Sequence, residues 1–288
     1  MSNAQAITRI APTPSGYLHE GNAVNFMLVS RLADAVGASM LLRIDDMDAD
    51  RIRPEYVEDI FEVLNWLGIR WQVGPGDPAD FHARFSLRAR RESYRLQARA
   101  LMAAGLAYAC TCSRRQGAGR CVQQCRSSQL ELTPGSTALR LAIEPGTMVK
   151  VDGREIDLYG ELGDPVLWRR DDQVAYHLAN VVEDTEQGIT HVVRGEDLVV
   201  SSALHAHLAR LTGAGTPVQY RHHRLVVDER GMKLSKSQLR TGPMPRTQAQ
   251  RTRIEGLAEG MWAEMSERGI SGETERPWRL PGDDPVPG

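Results

Sequence analysis

Alternating strand and helix signals over the first 70 residues constrain the fold of this chain more than any other feature of its sequence. Residues 7–11 form a short apolar run before a proline-containing turn, which predicts a strand entering a loop. Residues 21–36 and 54–67 carry apolar side chains at helical spacing, and residues 39–44 between them predict a buried strand. Because a β-α-β-α order of this kind is typical of a parallel, doubly wound sheet, we predict an α/β fold.

The same mixed pattern continues beyond residue 70. Residues 84–106 are rich in arginine, which we interpret as a helix whose basic face either lies in solvent or contacts RNA phosphate. A mostly β-like stretch follows from 110 to about 170. The sequence then predicts helices over 174–184 and 200–211, strands over 189–193 and 218–227, and an amphipathic helix over 247–268. The tail over 269–288, rich in Pro, Gly and charge, is expected to be flexible.

Charge and hydropathy exclude several classes of protein. The 288 residues include 35 Lys and Arg against 37 Asp and Glu, a formal charge of −2. This balance excludes a basic chain that coats nucleic acid non-specifically, so any nucleic-acid partner has to be met by a local patch. No apolar run approaches the roughly 18 residues that cross a bilayer, and the N-terminus lacks the apolar core of a secretory signal. We therefore expect a cytoplasmic protein without a membrane span.

All four cysteines fall in one short window, as Cys110-Thr111-Cys112 and as Cys121 followed by Cys125. Two close pairs of thiolates suit one tetrahedral Zn²⁺, and four thiolates leave no open position for water, which predicts a structural rather than a catalytic zinc. The alternatives are a pair of local disulfides, or reduced thiols without metal. We favour structural zinc in a reducing compartment, because a disulfide-stapled secreted protein would spread its cysteines along the chain.

Two short stretches are the strongest candidates for chemistry. Residues 14–22 (PSGYLHEGN) form a glycine-containing turn that opens a helix, where backbone N–H groups and the helix dipole suit a phosphate. Residues 231–237 (GMKLSKS) follow the last predicted strand, and their lysines and serines can hold a polyphosphate by charge and hydrogen bonds. Each stretch is a weak signal alone, because an ordinary surface turn or a solvated loop also explains it.

Together and in this order, the two stretches resemble the signature motifs of class I aminoacyl-tRNA synthetases, usually written HIGH and KMSKS. Here the first motif is His19-Glu20-Gly21-Asn22 and the second is residues 233–237 (KLSKS). The surrounding text narrows the resemblance to the glutamyl branch. It lies in residues 9–19 (RIAPTPSGYLH), 42–48 (LRIDDMD), 64–68 (LNWLG), 176–180 (YHLAN) and 194–197 (RGED). The resemblance covers roughly residues 7–240.

The resemblance implies a Rossmann-type catalytic domain that activates an amino acid with ATP and Mg²⁺ and passes the acyl group to a tRNA hydroxyl. The residues that it assigns to catalysis at the phosphates are His19, Lys233 and Lys236. The residues that it assigns to ATP binding are Pro14, Ser15, Gly21, Asn22, Glu196, Asp197 and Ser235. The residues that it assigns to the amino acid, L-glutamate in this branch, are Arg9, Asp45, Tyr176, Asn180 and Arg194. A guanidinium fork suits the γ-carboxylate of glutamate, and Asp45 would receive its α-ammonium group.

Two positions depart from the pattern of the glutamyl branch. The branch has Arg-Ile-Glu-Asp where this chain has Arg43-Ile44-Asp45-Asp46, so the carboxylate for the substrate's ammonium group is one methylene shorter. Glu20 adds a carboxylate within the first motif, which is unfavourable beside phosphates unless it points away. Two alternatives therefore stay open: a paralogue that activates another amino acid for a non-tRNA acceptor, and a non-catalytic tRNA- or protein-binding module.

The length of the chain completes the predicted organisation. About 50 residues follow Lys236, too few for the anticodon-binding domain of a full glutamyl-tRNA synthetase. The chain therefore resembles the truncated members of the branch, which place glutamate on the queuosine of tRNA(Asp). We expect a monomer in which an inserted zinc-binding subdomain, residues 110–170, divides the Rossmann-type domain into residues 1–109 and 171–240. A helical segment over 241–268 and the tail follow.

Overall fold

The computed structural model describes residues 5–112, 120–122, 124–214, 217–227 and 242–268. The strands in chain order are β1 (Ile7–Ile10), β2 (Ser39–Leu42), β3 (Ala107–Cys110), β4 (Ala138–Leu141), β5 (Met148–Val151), β6 (Arg154–Asp157), β7 (Val166–Trp168), β8 (His191–Gly195) and β9 (Gln219–His223). Four of them form a sheet in the order β2-β1-β8-β9, in which every neighbouring pair is parallel. The predicted α/β fold with a parallel sheet is confirmed.

Helices connect these strands. The α-helices longer than one turn are α1 (Glu20–Val36), α2 (Pro54–Leu67), α3 (Arg91–Ala103), α4 (Leu158–Leu162), α5 (Tyr176–Glu186), α6 (Val199–Leu211) and α7 (Gln248–Glu267). Among the residues described above, no helix combines the length and the apolar character that crossing a membrane requires. The tail over 269–288, for which flexibility is predicted, lies outside the described residues.

The parallel sheet is covered on both faces. α1, α2 and α7 share one apolar core with Leu42 and Val193, whereas α5 and α6 share a second core with Leu41 and Val192. Because successive residues of a strand point to opposite faces of a sheet, these neighbouring residues show that both faces are buried. Strands buried on both faces are apolar without alternation, which explains why the sequence predicted them as continuous apolar runs.

The chain between α3 and α5 forms two antiparallel sheets. β3, β4 and β7 make a three-stranded sheet, and β5 and β6 make a hairpin. The hairpin turns at Asp152 and Gly153, which have φ values of 49° and 74°, as a two-residue type I′ turn requires. Val149 and Val151 of the hairpin pack into the core that contains α5 and α6.

The sequence predicted a single helix from residue 84, and this prediction is wrong because the arginine-rich segment is interrupted at Ser86. A π-helical turn (Phe81–Phe85) and a 3₁₀ turn (Leu87–Arg90) precede α3, and they meet at Ser86, whose backbone is extended. Ser86 Oγ and the backbone N of Leu87 both donate to the Asp46 carboxylate, at 2.5 and 2.7 Å. These bonds to the loop after β2 hold Ser86 out of the helical conformation and explain the break.

The basic face of this segment is partly paired within the protein. Arg91 and Arg95 both bind the Asp172 carboxylate, at 2.6 and 2.9 Å, and Arg90 binds Glu183 of α5 at 2.5 Å. Part of the arginine pattern is therefore explained by the packing of α3 against α5 and the loop before it.

Candidate active site

The order of the parallel strands reverses between β1 and β8. β1 is followed by β2 on one side of the sheet, and β8 is followed by β9 on the other. Open parallel sheets bind ligands at the carboxyl ends of the strands where such a reversal occurs. Residues 11–19 leave β1 at this point, and a 3₁₀ turn at Glu196–Leu198 leaves β8. The first motif and the predicted pair Glu196 and Asp197 thus lie on the two sides of the reversal.

The first motif forms the N-terminus of α1. The side chain of Asn22 accepts a hydrogen bond from the backbone N of His19, at 3.1 Å, and closes the first turn. Gly21 leaves room for the imidazole, because a Cβ at this position would lie 3.0 Å from two ring atoms of His19. The N-terminus of a 17-residue helix carries the positive end of the helix dipole, so this turn suits an anionic group.

The loop that leaves β1 is held against the end of β2. The carbonyl of Pro12 accepts the backbone N–H of Asp45 at 2.9 Å. Within the loop, Pro14 is buried and Ser15 is half-buried. The loop therefore links the phosphate-suited turn at α1 to the charged residues that follow β2.

Glu20, the unexpected carboxylate of the first motif, is directed to α7. Its two carboxylate oxygens accept hydrogen bonds from Gln250 Nε2 at 2.5 Å and from Arg253 Nε at 3.1 Å. The pairing with Arg253 offsets its charge, so the repulsion that the sequence suggested is avoided.

Buried arginines and aspartates meet where β1, the residues after β2 and α5 approach one another. Asp184 Oδ1 accepts hydrogen bonds from Arg9 Nε at 3.2 Å and from Arg43 Nη1 at 2.7 Å. Arg43 Nε also donates to Asp45 Oδ1 at 2.7 Å. Each of these four side chains belongs to a residue that is at most 5% exposed, so they interact with little screening by water.

Burial and pairing act in opposite directions on these carboxyl groups. Burial raises the pKa of Asp45, and the opposing attraction of Arg43 does not cancel this effect. Burial acts in the same direction at Asp184, but Arg9 and Arg43 outweigh it and lower the pKa. Asp184 is therefore the anion that holds the two arginines in place.

Arg194, at the end of β8, approaches the same region from the other side of the strand reversal. Its guanidinium carbon lies 4.9 Å from the centre of the Tyr220 ring, and its Nη1 lies 3.5 Å from the Tyr176 hydroxyl. Arg194 is 5% exposed and Tyr176 is 38% exposed, so the cluster reaches solvent at the tyrosine.

The Asn180 amide connects the two halves of the cluster. With its oxygen directed to Arg43 Nη2 at 2.9 Å, its nitrogen donates to His205 Nδ1 at 3.0 Å and to Asp184 Oδ2 at 3.2 Å. Burial and the nearby Arg194 lower the pKa of His205 well below its ordinary value, so its Nδ1 can accept this bond as a neutral imidazole. We define the charged cluster as Arg9, Arg43, Asp45, Tyr176, Asn180, Asp184 and Arg194.

Five of these seven residues were predicted from the sequence as amino-acid-binding residues, whereas Arg43 and Asp184 were not. Tyr176, Asn180 and Asp184 are spaced by four residues along α5, so they lie on one face of the helix. This stripe of hydrogen-bonding side chains on one face of α5 is the signal that could have found Asp184. The second motif, with Lys233, Ser235 and Lys236, lies outside the described residues.

The four cysteines meet around one point at the end of β3. Their sulfur atoms all lie within 4.8 Å of one another. Cys112 Sγ lies 3.9 Å from Cys121 Sγ and 3.8 Å from Cys125 Sγ. Zinc–sulfur bonds of about 2.3 Å in a tetrahedron place the sulfurs about 3.8 Å apart, so the set fits a zinc ion. All four are free thiols, which rules out the local disulfides for the structure described here.

The fold and the first motif at the strand reversal define a class I aminoacyl-tRNA synthetase catalytic domain. Comparison with known families agrees: the family described as tRNA synthetases class I (E and Q), catalytic domain, matches residues 5–276. The chain belongs to this family.

Individual relatives narrow the similarity further. The chain is 35% identical over 266 residues to a glutamyl-Q tRNA(Asp) synthetase of Rhodobacter capsulatus, with 80% of this chain and 90% of the relative covered. It is 38% identical over 253 residues to a protein of the same name from Pseudomonas paraeruginosa, covering 84% and 81%. Against glutamate–tRNA ligase 2 of Dinoroseobacter shibae, at 34% identity, the match covers 80% of this chain but 54% of the longer relative.

Solved structures show the same relation. A glutamate–tRNA ligase of Elizabethkingia meningosepticum in complex with its amino acid superimposes with a TM-score of 0.66 at 26% identity. The match covers 81% of this chain and 52% of that ligase. The chain therefore spans about half the length of this full ligase and most of the length of the glutamyl-Q relatives.

Proposed function

We propose that this protein activates L-glutamate with ATP and transfers it to the queuosine of tRNA(Asp). The observation that carries the proposal is the charged cluster at the strand reversal, beside the turn of the first motif, which we assign as the amino-acid pocket. The relatives named glutamyl-Q tRNA(Asp) synthetase, which this chain matches over most of their length, support the choice of acceptor.

The charges of the pocket suit glutamate. Three buried arginines, Arg9, Arg43 and Arg194, stand against two buried aspartates, Asp45 and Asp184, so the pocket has one positive charge in excess when both aspartates are ionised. Glutamate has one net negative charge at neutral pH and compensates that excess, whereas neutral glutamine leaves it uncompensated. Because uncompensated charge is costly in a buried site, this balance favours the acid over its amide.

We propose that Arg9 and Arg194 bind the γ-carboxylate of glutamate, with Tyr176 and Asn180 beside them. Arg9 binds Asp184 through Nε, so this bond leaves the two terminal nitrogens, Nη1 and Nη2, to serve a ligand. Asp45 receives the ammonium group. Arg43 holds the Asp45 carboxylate in place, with Nε at 2.7 Å from one oxygen and Nη2 at 3.5 Å from the other.

The proposed chemistry needs no protein nucleophile. An oxygen of the α-carboxylate of glutamate attacks the α-phosphate of ATP in line. A new O–P bond forms, and pyrophosphate leaves with the electrons of the bond that breaks. Catalysis then consists of positioning and of stabilising the charge that develops on the phosphates. We place His19, Gly21 and the N-terminus of α1 at the phosphates, Pro14, Ser15 and Asn22 in the supporting turn, and Glu196 and Asp197 near the nucleoside.

The second motif completes this proposal on the evidence of its sequence. Lys233 and Lys236 stabilise the leaving pyrophosphate, and Ser235 contributes a hydrogen bond. Mg²⁺ bound to the phosphates of ATP would supply further neutralisation of their charge. Cys110, Cys112, Cys121 and Cys125 hold a structural zinc that ties the end of β3 to the 3₁₀ turn at Cys125.

Amino-acid-dependent exchange between ATP and pyrophosphate, run with each of the twenty amino acids and without tRNA, tests the activation step. We expect exchange with glutamate alone. Exchange with another amino acid would support the paralogue with a different substrate, and silence with and without tRNA would support the non-catalytic module.

Transfer is tested separately with labelled glutamate. We expect the label to accumulate on tRNA(Asp) that contains queuosine and not on the same tRNA with guanosine at that position. Equal labelling of both tRNAs would contradict the proposed acceptor while leaving the activation step intact.

A further inference from the structure

Three side chains from three different elements form a continuous hydrogen-bonded chain to Arg194. Asp152, in the turn of the β5–β6 hairpin, lies with Oδ2 at 3.0 Å from His222 Nδ1. His222 Nε2 lies 2.6 Å from Ser202 Oγ on α6, and Ser202 Oγ accepts a hydrogen bond from Arg194 Nε at 2.8 Å. Asp152 and His222 are 70 residues apart in the sequence and meet only through the fold.

The protonation states along this chain follow from burial and pairing. Burial lowers the pKa of His222 although Asp152 opposes the shift, so the imidazole is neutral near pH 7. At Asp152 burial favours the neutral acid, but the hydrogen bonds from His222 outweigh it and lower the pKa. The ionised Asp152 accepts a hydrogen bond from Nδ1–H, which leaves Nε2 as an acceptor. The one Ser202 hydroxyl proton lies between two acceptors, His222 Nε2 at 2.6 Å and the Leu198 carbonyl at 3.0 Å, and the shorter distance favours His222. The serine oxygen is then directed, as an acceptor, at Arg194.

The same set of residue types forms the catalytic triad of serine hydrolases, but this arrangement does not fit that role. Ser202 and His222 are 0% and 1% exposed, so no substrate carbonyl reaches the serine. The Ser202 oxygen is already occupied by Arg194 Nε, and it lies 3.0 Å from the Leu198 carbonyl on its own helix. The hydrogen bonds from Asp152 through His222 and Ser202 end instead at Arg194 Nε.

We infer that Ser202, His222 and Asp152 are positioning residues that orient the Arg194 guanidinium for the γ-carboxylate of glutamate. Ser202 engages Nε, and the Tyr220 ring supports one face of the guanidinium at 4.9 Å. The edge that carries Nη1 and Nη2 is then directed towards Tyr176 in the amino-acid pocket and towards His205 beside it. The inference rests on the proposed role of Arg194 in binding glutamate.

Asp152, the residue at the far end of this series of hydrogen bonds, lies in the antiparallel part of the molecule. Asp152 also accepts the backbone N–H of His222 at 2.9 Å, and its side chain is 7% exposed. One oxygen of Asp152 thus holds both the backbone and the imidazole of His222, which fixes the ring relative to β9. The hairpin between α3 and α5 therefore contributes to the geometry of a pocket that is built on the parallel sheet.

Glutamate-dependent exchange kinetics of Ser202→Ala and Ser202→Thr test the inference. A hydrogen bond to a charged group contributes roughly 1.5–3 kcal/mol, so we expect Ser202→Ala to raise the KM for glutamate at least about tenfold and to leave the KM for ATP within about twofold. Ser202→Thr keeps the hydroxyl and should restore most of the affinity. A merely structural role would lower the amount of active enzyme without changing the KM for glutamate.

Two further measurements separate this inference from the proposed function. In an Arg194→Lys background, which lacks Nε, Ser202→Ala should cause no additional increase in the KM for glutamate. In ¹H–¹⁵N spectra, the Arg194 Nε–H signal should exchange slowly with water in the wild type and rapidly in Ser202→Ala and His222→Phe, whether or not the enzyme is turning over.

The outcomes are distinct. An unchanged KM for glutamate in folded Ser202→Ala, or a slowly exchanging Nε–H in both variants, overturns the positioning role and leaves the proposed function standing. Wild-type kinetics in Arg194→Lys, or no exchange with glutamate in the wild type, overturns the proposed use of Arg194 and with it the inference.

Discussion

The Asp59 carboxylate on α2 accepts the backbone N–H of Leu18 at 2.8 Å, immediately before the first motif. Its other oxygen accepts a hydrogen bond from Arg246 Nη2 at 2.6 Å. Arg246 follows the second motif in the chain, so one buried carboxylate joins the turn of the first motif to the segment that returns from the second. This connection makes Asp59 a test of how the turn before the first motif is held.

Replacing Asp59 with Ala should destabilise the protein. The change leaves the Leu18 N–H without its acceptor and removes the buried partner of Arg246, and we expect a loss of about 2–3 kcal/mol in the free energy of unfolding. Urea denaturation measures this loss. Glu62→Ala is the matched control, because Glu62 also contacts Arg246 at 2.6 Å but its side chain is 59% exposed, and such pairs contribute about 0–1 kcal/mol. Equal losses in both variants would contradict the structural role of Asp59.

The elements of the parallel sheet could be predicted from the sequence, because apolar spacing alone defines buried strands and amphipathic helices. The partners of the site residues could not. Asp152, Ser202 and His222 come from a hairpin, a helix and a strand, and no spacing in the sequence connects them to Arg194. Tertiary contacts decide such pairings. They also cause the break at Ser86, where the helical periodicity of the sequence continues but Ser86 Oγ and the backbone N of Leu87 donate hydrogen bonds to Asp46.

The second motif can be tested through its lysines. The chain contains three lysines, Lys150, Lys233 and Lys236. Lys236→Ala should lower the rate of ATP–pyrophosphate exchange by about two orders of magnitude or more, because a charge that stabilises the leaving pyrophosphate is lost in the transition state. Lys150→Ala, at an exposed position on β5, is the control and should leave the rate unchanged. A wild-type rate in Lys236→Ala, with unchanged unfolding, would refute the assignment of this loop to phosphate.

Glu20 offers a test of the departure in the first motif. Because its carboxylate is paired with Gln250 and Arg253 on α7, Glu20→Gln should leave the KM for ATP within about twofold of the wild type. The same change should lower the free energy of unfolding by less than about 1 kcal/mol, as expected for a largely exposed partner such as Arg253, whose side chain is 55% exposed. A several-fold decrease in the KM for ATP would show instead that Glu20 repels the phosphates.

The cysteine cluster is tested by metal analysis. Protein purified without chelators should contain about one equivalent of zinc, and Cys112→Ser should contain much less, because Cys112 lies within 4 Å of two of the other three thiols. Chelation should lower the midpoint of thermal unfolding, since zinc ties the end of β3 to the turn at Cys125. A stoichiometry far below one, with stability unaffected by chelator, would support the alternative of reduced thiols without metal.

Acid stability is expected to depend on buried histidines, of which His207 on α6 is the simplest to test. His207 is 9% exposed, and burial, with a smaller effect of Arg210, lowers its pKa to about 4. Its folded pKa is thus below the unfolded value near 6.5, so the unfolded chain binds the proton first and stability is lost as the pH falls from about 6.5 towards 4. His207→Leu should therefore reduce the difference in unfolding free energy between pH 7.5 and pH 5 by about 1–2 kcal/mol. His82→Leu, at an exposed position, should leave that difference as it is in the wild type. Equal pH dependence in the wild type and in His207→Leu would show that this imidazole is not desolvated in the folded state.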